Sequence, residues 1–256
     1  MRQVFTALSL VLWGSGATAQ DVLIVGEVHD NPAHHAVQAD MVAELAPTAI
    51  VFEMLTPAQA GLVTADNRGD ATALADVLQW DQSGWPDFSM YHPIFIAAPQ
   101  AEIYGAQVPR DVARAAFETG IAAAFSGDAD RYGLSEPLPD AQQETREAMQ
   151  LAAHCDALPQ EMLPGMVSIQ RLRDAELAHA VVEAIDATGG PVAVITGNGH
   201  ARKDWGVPAY LARVAPDLDV RVIGQTEDDA PLEGGFDEIL SAPAVAREDP
   251  CAVFAK

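Results

Sequence analysis

Short, almost continuously apolar segments alternate with longer amphipathic ones along most of this chain. Five apolar segments have the length of strands, at 22–26, 49–53, 102–108, 192–197 and 220–225. A shorter apolar segment follows at 236–240. The first, second and fourth (VLIVG, AIVFE and VAVITG) show no polar alternation. Such runs are typical of strands that are buried on both faces of a parallel sheet.

The segment between the first two strands has the punctuation of a helix. Asn31 suits the N-cap position, Pro32 suits the first helical position, and Val37, Met41 and Leu45 recur at helical spacing. A strand, a helix and a second strand at this spacing predict a βαβ unit. The two strands are then parallel and joined by a right-handed crossover.

Residues 109–185 contain no convincing strand. The stretches in and just beyond this range favour helices, at 111–125, 139–154, 159–168 and 169–187. Because this is too long for a single crossover, we expect a mostly helical cap inserted into the domain. The sequence therefore predicts an α/β fold with a mainly parallel central sheet, helices on both faces, and a helical cap at about 109–185.

The first nineteen residues have a different character from the rest. Arg2 precedes an apolar run at 4–13, and small residues follow up to Ala19. This is the pattern of a secretory signal peptide. We predict a signal peptide at 1–19, a single mature domain at 20–256, and a periplasmic or secreted location after cleavage. No later segment is apolar enough to suggest a transmembrane helix.

Charge and cysteine content narrow the classes of partner. Lys and Arg number 14 against 37 Asp and Glu, for a formal net charge of −23. Such a surface repels nucleic acids, so no nucleic-acid partner is expected. The mature chain has two cysteines, Cys155 and Cys251. In an oxidising compartment an even pair predicts a disulfide, with two buried free thiols as the alternative.

Polar side chains follow three of the predicted strands. His29 follows the first strand after Gly26, Glu53 ends the second, and His200 follows the fourth after Gly197. In open α/β sheets, ligands bind outside the carboxyl ends of the strands. The repeated Gly-x-x-His spacing therefore predicts that two imidazoles and a carboxylate meet at one edge of the sheet, where we expect the functional site.

This set of side chains suits several kinds of chemistry. Two histidines and a carboxylate can hold a divalent or ferrous ion; a histidine oriented by a glutamate can activate water; a histidine can bind haem iron. The alternative is that these groups only satisfy one another. The candidates for catalysis are Glu27, His29, Glu53 and His200. The candidates for a metal are His29, Glu53 and His200.

Three further residues complete the candidate set for ligand binding. His35 lies in the first turn of the predicted helix, and Asn198 lies within the second Gly-x-x-His motif. Tyr91 belongs to an aromatic loop at 80–92, which either clamps a flat ligand or forms a satellite core. The ligand-binding candidates are thus His29, His35, Glu53, Tyr91, Asn198 and His200.

Several segments resemble one known family. They are GEVHDNPAHHAVQ, VFEM, GWPDF followed by Tyr91, VPRDVAR, GNGHARKDWGVPAYL and the tail AREDPCA, and they run from about 22 to 251. They are similar to segments of the ChaN-like haem-binding proteins, which share a superfamily with Tiki proteins, TraB-like proteins and erythromycin esterases. That superfamily has two Gly-x-x-His motifs, matched here by Gly26–His29 and Gly197–His200, and a glutamate matched by Glu53.

The resemblance implies an α/β fold with a helical cap and a role in haem or iron uptake. It also implies haem bound as cofacial pairs across a homodimer, with a tyrosine on the iron. The chain departs from it in two respects. No cysteine follows the signal peptide to carry a lipid, and the four tyrosines, at 91, 104, 132 and 210, follow no ligand motif.

We therefore expect an exported haem-binding protein of the uptake type, with haem as its cofactor and Arg110 or Arg171 available to the propionates. The alternative is a hydrolase of the Tiki or erythromycin esterase type. In that case His29 or His200 activates water, directly or on a divalent metal, and Glu53 orients the base or binds the metal.

Overall fold

Six parallel strands form one sheet in the order β3-β2-β4-β1-β5-β6. The computed structural model describes residues 20–249 and 251–252, so the predicted signal peptide lies outside the described residues. The strands are β1 (Val22–Glu27), β2 (Ala49–Phe52), β3 (Glu102–Gly105), β4 (Val192–Gly197), β5 (Val220–Glu227) and β6 (Glu238–Ala242). The five predicted strands and the α/β class are confirmed, and the short apolar segment near 238 forms the sixth strand beside β5.

Strand β3 ends at Gly105, three residues earlier than predicted. The backbone N–H groups of Ala106 and Gln107 donate to the carbonyls of Phe52 and Leu55, where the chain leaves β2 and turns away. The apolar residues up to Val108 are therefore buried in a loop, and apolar character alone does not distinguish such a loop from a strand.

Ten α-helices and two short 3₁₀ helices, at Trp80–Gln82 and Gln160–Met162, lie in the described part of the chain. The α-helices are α1 (Pro32–Leu45), α2 (Pro57–Ala60), α3 (Ala71–Leu78), α4 (Phe88–Ala97), α5 (Arg110–Thr119), α6 (Ile121–Ala124), α7 (Asp140–Ala153), α8 (Leu163–Thr188), α9 (Asn198–Ala201) and α10 (Val207–Val214). Helix α1 begins as predicted, because the side chain of Asn31 accepts a hydrogen bond from the N–H of Ala33 at 3.0 Å.

The aromatic stretch at 80–92 is not the loop that the sequence predicts. Its second half is the start of α4, where the carboxylate of Asp87 caps the helix by accepting from the N–H of Ser89. Pro93 lies inside this helix. An internal proline removes a helical hydrogen bond, yet the helix continues beyond it to Ala97.

Both faces of the sheet are buried, which explains the continuous apolar runs. Along β2, Ile50 and Phe52 face one side and pack with α1 and α4, whereas Val51 faces the other side and packs with α8. Each such large side chain contributes roughly 1.5–3 kcal/mol to folding when it is removed from water.

Helices α5 to α8 occupy the range for which the sequence predicts a helical cap. The longest of them, α8, packs directly on β2, β3 and β4, so it is also part of the layer that covers the sheet. The helical content of this range is as predicted, while its role as a cap stays a prediction. Among the described residues, none of the helices is long and apolar enough to cross a membrane.

A disulfide joins Cys155, just after α7, to Cys251 in the tail after β6, across a sequence separation of 96 residues. Replacing both cysteines by serine is expected to lower the free energy of unfolding by about 2–4 kcal/mol, because the unfolded chain regains the entropy that the closed loop removes. Urea unfolding in the absence of reductant measures the difference. Reductant should bring the wild-type protein to the stability of the variant and leave the variant unchanged; equal stability of the two oxidised proteins contradicts the expectation.

Candidate functional site

The carboxyl ends of three neighbouring strands define the site. Strand β1 lies beside β4 with Glu27 opposite Gly197. The N–H of Glu53, just after β2, donates to the carbonyl of Ile195 in β4. His200 follows in α9, directly after β4. The parallel register therefore places the polar residues that follow these strands at one edge of the sheet.

Glu27 is the centre of one hydrogen-bonded group. Its side chain is fully buried, and its Oε1 accepts from Nδ1 of His29 at 2.6 Å and from the hydroxyl of Tyr91 at 3.0 Å. Its Oε2 lies 3.3 Å from Nδ1 of the buried His35, whose Nε2 bonds to the backbone carbonyl of His29. His35 and Tyr91 therefore both contact Glu27 and the backbone carbonyl of His29, and these contacts fix the position of His29.

His29 is the most exposed member of this group, with 36% of its side chain accessible. Burial lowers its pKa, but the hydrogen bond that His29 donates to Glu27 and the charges of Glu53 and Glu27 outweigh burial and raise the pKa to about 9. The Nε2 atom has no hydrogen-bond partner among the described residues. It lies against Gly197, where an added Cβ would come within 2.8 Å of it, and the ring packs on Trp85 at a centroid distance of 5.0 Å.

Glu53 lies between the two imidazoles. Its Oε2 accepts from the hydroxyl of Thr196 at 2.7 Å and from the N–H of Gly197 at 2.8 Å, and its Oε1 lies 3.5 Å from Nε2 of His200. Burial raises the pKa of Glu53. The charges of His200 and His29 and the two hydrogen bonds lower it by more, so the net shift of the pKa is downward. The carboxylate is therefore ionised at neutral pH.

His200 forms a second imidazole–carboxylate pair that the sequence reasoning did not identify. Its Nδ1 lies 2.6 Å from Oδ1 of Asp174, and Oδ2 of that carboxylate lies 3.6 Å from the guanidinium of Arg146. The amide of Gln170 also lies 3.2 Å from Nδ1. Burial lowers the pKa of His200, but the charges of Glu53 and Asp174 raise it above its ordinary value.

A signal for Asp174 is present in the sequence. Val167, Arg171, Asp174, Ala178 and Val181 recur at helical spacing along α8, and all five are buried. Charged residues such as Arg171 and Asp174 are rarely buried without a partner or a function. The sequence prediction began the last helix near 169, with Arg171, Arg173 and Asp174 in its opening part, so the buried stripe that starts at Val167 was not recognised.

The side chain of Asn198, by contrast, is hydrogen-bonded to the backbone of β5. Its side-chain amide donates to the carbonyl of Gln225 at 2.7 Å and accepts from the N–H of the same residue at 3.0 Å. The side chain packs on Gly26, where a Cβ would collide with it. The structure therefore places Asn198 as a link between α9 and the sheet, away from the imidazoles.

A cleft of about 180 Å³ opens beside Glu53, and we refer to it as the arginine cleft. Its charged and aromatic lining consists of Glu53, Trp85, Arg110 and Arg173. Ser83 and Gly84 form one wall, and Leu177 on α8 lies at another. Because Trp85 also packs on His29, the cleft and the exposed imidazole are neighbours.

One protein family, described as haem-binding uptake, Tiki superfamily, ChaN, matches residues 15–211, which is most of the chain. The chain belongs to this ChaN family. No curated protein sequence matches it significantly.

The fold also occurs in a solved structure of low sequence identity. The ChaN protein of Campylobacter jejuni, whose structure is described as showing cofacial haem binding, is 19% identical with a TM-score of 0.63; the match covers 83% of this chain and 84% of that one. At this identity the likeness shows the fold alone. The type III effector HopBA1 is 12% identical with a TM-score of 0.45, covering 87% and 88%.

The tyrosines of this ChaN-family chain are poorly placed to bind iron. Tyr91 is fully buried, and burial together with the charge of Glu27 raises its pKa. Tyr132 and Tyr210 are buried, and burial raises both pKa values, that of Tyr132 to about 12. Tyr104 is half-buried and donates to Glu102, and its pKa is raised too, first by burial. Three of the four phenols are therefore covered by the protein, and Tyr104 is the most accessible of the four.

The set of His29, Glu53 and His200 does not form a metal site in this ChaN-family chain. Within residues 20–249 and 251–252, no three His, Cys, Asp or Glu side chains are arranged to hold a metal ion. Nδ1 of His200 is bonded to Asp174, and Nδ1 of His29 is bonded to Glu27, so each imidazole is oriented by its own carboxylate. The geometry gives the divalent-metal hypothesis no support.

Proposed function

We propose that this chain is an exported haem-binding protein of the uptake type, and that His29 is the residue that binds the iron. Membership of the ChaN family supports haem as the ligand. The single observation that carries the choice of residue is the state of His29. It is the one imidazole of the site with a third of its side chain accessible, and its Nε2 is unbonded among the described residues.

The contacts of His29 suit an iron ligand. Histidines that bind metals usually donate their other ring N–H to a carboxylate, which orients the ring and raises its basicity. Glu27 occupies that position at 2.6 Å from Nδ1. Haem iron is commonly bound through an imidazole. When bound, the haem supplies the iron for Nε2 and a flat apolar surface for the indole of Trp85.

The size of the arginine cleft limits how the haem is held. Pockets that bury most of a drug-sized ligand have roughly 300–1,000 Å³, whereas this cleft has about 180 Å³. We therefore propose that the cleft receives only one edge of the porphyrin. A porphyrin that is held at one edge and bound by His29 on one face would have its other face uncovered. This supports a haem-dependent homodimer as part of the proposal.

The hydrolase alternative has weaker support from the electrostatics. A general base works best when its pKa lies near the operating pH. The pKa of His29 is raised to about 9, so this imidazole holds a proton at neutral pH, and nearby carboxylates raise the pKa of His200 as well. His29 is therefore not available to take a proton from water under those conditions.

A haem titration of residues 20–256, followed by the Soret band, tests the proposal. The wild-type protein is expected to give a saturable shift at stoichiometric haem, and His29→Ala is expected to abolish it, because the iron loses its ligand. The matched control is His154→Ala, which removes an imidazole at the end of α7 that bonds within the described residues to the carbonyl of Gln150. Sedimentation of the same samples reports whether haem joins two copies.

Two outcomes would contradict the assignment of His29. Equal haem affinity in His29→Ala and His154→Ala shows that the iron is bound elsewhere. Loss of the Soret shift in Tyr104→Phe, with His29→Ala unaffected, assigns the iron to the half-buried tyrosine instead. If no variant and no wild-type sample shows a saturable shift, the haem proposal itself fails.

A further inference from the structure

Eight of the eleven arginines in the described residues are paired. In a chain with 14 basic and 37 acidic residues, carboxylates are plentiful. Most of these arginines bind a carboxylate or a backbone carbonyl, as Arg202 does with Asp204 and Arg171 with the carbonyl of Gly133. The three that have neither partner among the described residues are Arg110, Arg114 and Arg173.

Two of these three arginines face the same space. Arg110, at the start of α5, and Arg173, in the middle of α8, both line the arginine cleft. An Nη atom of Arg110 lies over Gly84, where an added Cβ would approach within 3.2 Å of it. Arg173 is half-buried and close enough to His200 for its charge to lower the pKa of that imidazole. Two positive charges thus lie around one small cleft.

The carboxylate in the cleft does not neutralise these arginines. Glu53 already accepts from Thr196 and Gly197 and lies beside the imidazole of His200. Its negative charge is therefore balanced within the site. An anion that enters the cleft meets two unpaired guanidinium groups and a carboxylate whose charge is compensated.

Trp85 provides an independent indication of a ligand. Its indole N–H is buried and has no acceptor among the described residues. Buried N–H groups are nearly always bonded, so an unbonded one needs an explanation such as an absent partner. Because Trp85 lines the arginine cleft, the simplest explanation is that a ligand in the cleft supplies the acceptor oxygen.

We propose that the arginine cleft binds the anionic group of a small ligand, a carboxylate or a phosphoryl group, through Arg110 and Arg173, with the N–H of Trp85 as a further donor. Arginine binds both groups well because its planar fork of N–H donors matches their oxygens. Where the ligand is haem, the anionic groups are its propionates, and this form of the inference rests on the proposed function. A free carboxylate or phosphate is the other source.

Titration with haem and with its dimethyl ester separates these sources, since the ester has the same ring and no propionate charge. Wild-type protein is expected to bind haem about 10–100-fold more tightly than the ester, because hydrogen bonds to charged groups are roughly twice as strong as neutral ones. Arg110→Gln and Arg173→Gln are each expected to weaken haem binding about tenfold or more and to leave ester binding unchanged. Arg173→Lys should recover part of the loss.

Arg114→Gln is the matched control, since Arg114 is an exposed and unpaired arginine of the same helix as Arg110 but does not line the cleft. Melting temperatures of all variants confirm that they fold. Equal affinity for haem and its ester, with no effect of either cleft arginine, overturns the inference while leaving haem binding through His29 intact.

If haem does not bind at all, the proposed function fails and the anion site is tested alone. Inorganic phosphate and succinate are the probes, and the rise in melting temperature at millimolar concentration is the measurement. A rise in wild type and in Arg114→Gln that disappears in Arg173→Gln supports a site for free anions. No rise, or the same rise in every variant, overturns the inference.

Discussion

Replacing Asp174 by alanine is expected to lower the free energy of unfolding by about 3–5 kcal/mol, because it leaves buried cations without their partner. Asp174 is completely buried, 2.6 Å from Nδ1 of His200 and 3.6 Å from the guanidinium of Arg146. Without the carboxylate, Arg146 stays charged in a buried position, and His200 keeps only Glu53, whose Oε1 lies 3.5 Å from its Nε2. Urea unfolding at pH 7 measures the change.

Asp186→Ala is the control for this experiment. Asp186 is an exposed aspartate in the same helix, α8, so the two substitutions bring the same gain in helix propensity. An exposed substitution of this kind is expected to change stability by no more than about 0.5 kcal/mol. If the two variants are equally stable, the pair between Asp174 and His200 does not hold this side of the site together.

The sheet and the position of the site were within reach of sequence reasoning because their signals are local. A strand buried on both faces has to be apolar throughout, as VLIVG and VAVITG are, and parallel strands bring their carboxyl ends to one edge. The residue that follows each buried run is then a candidate by position alone. His29, Glu53 and His200 are therefore predicted at the same edge, where the structure also has them.

The pairing of these groups was out of reach because it depends on residues far apart in the chain. His29 and Glu27 are two residues apart, but the partner of His200 is Asp174 on α8, and the hydroxyl that reaches Glu27 comes from Tyr91 on α4. A sequence pattern gives the period of a helix and not the strand on which it packs. The arginine cleft could not be predicted for the same reason, since Arg110 and Arg173 come from two helices.

The burial of the tyrosines changes the chemistry that the resemblance alone suggests. A phenol binds iron as the phenolate, and the environments of Tyr91, Tyr104, Tyr132 and Tyr210 all raise the pKa. An imidazole binds iron as the neutral ring, after Nε2 has released its proton. Since the carboxylates around His29 raise its pKa to about 9, that release is itself controlled by pH.

Haem affinity is therefore expected to rise about 500-fold between pH 6 and pH 9, because a metal-binding imidazole must be deprotonated and a group with this pKa is about 99.9% protonated at pH 6. The pKa of His29 is raised to about 9 by its hydrogen bond to Glu27 and by nearby charges, which outweigh its burial. Below pH 8 the affinity should rise about tenfold per pH unit, and it should level off above the pKa. Soret titrations at constant ionic strength measure this profile.

Glu27→Gln separates proton competition at His29 from other effects of pH. Removing the carboxylate lowers the pKa of His29, so the affinity should level off at a lower pH than in the wild-type protein. Asp30→Asn is the mild comparison, because Asp30 raises the same pKa through its charge alone and by less than Glu27 or Glu53 does; its profile should move only slightly. The direction of the slope is decisive. A haem affinity that is flat or falls between pH 6 and 9 excludes the imidazole of His29 as the iron ligand. A rise that shifts with the charge of Glu27 assigns the titration to His29, because Glu27 is hydrogen-bonded to that imidazole whereas His200 pairs with Asp174.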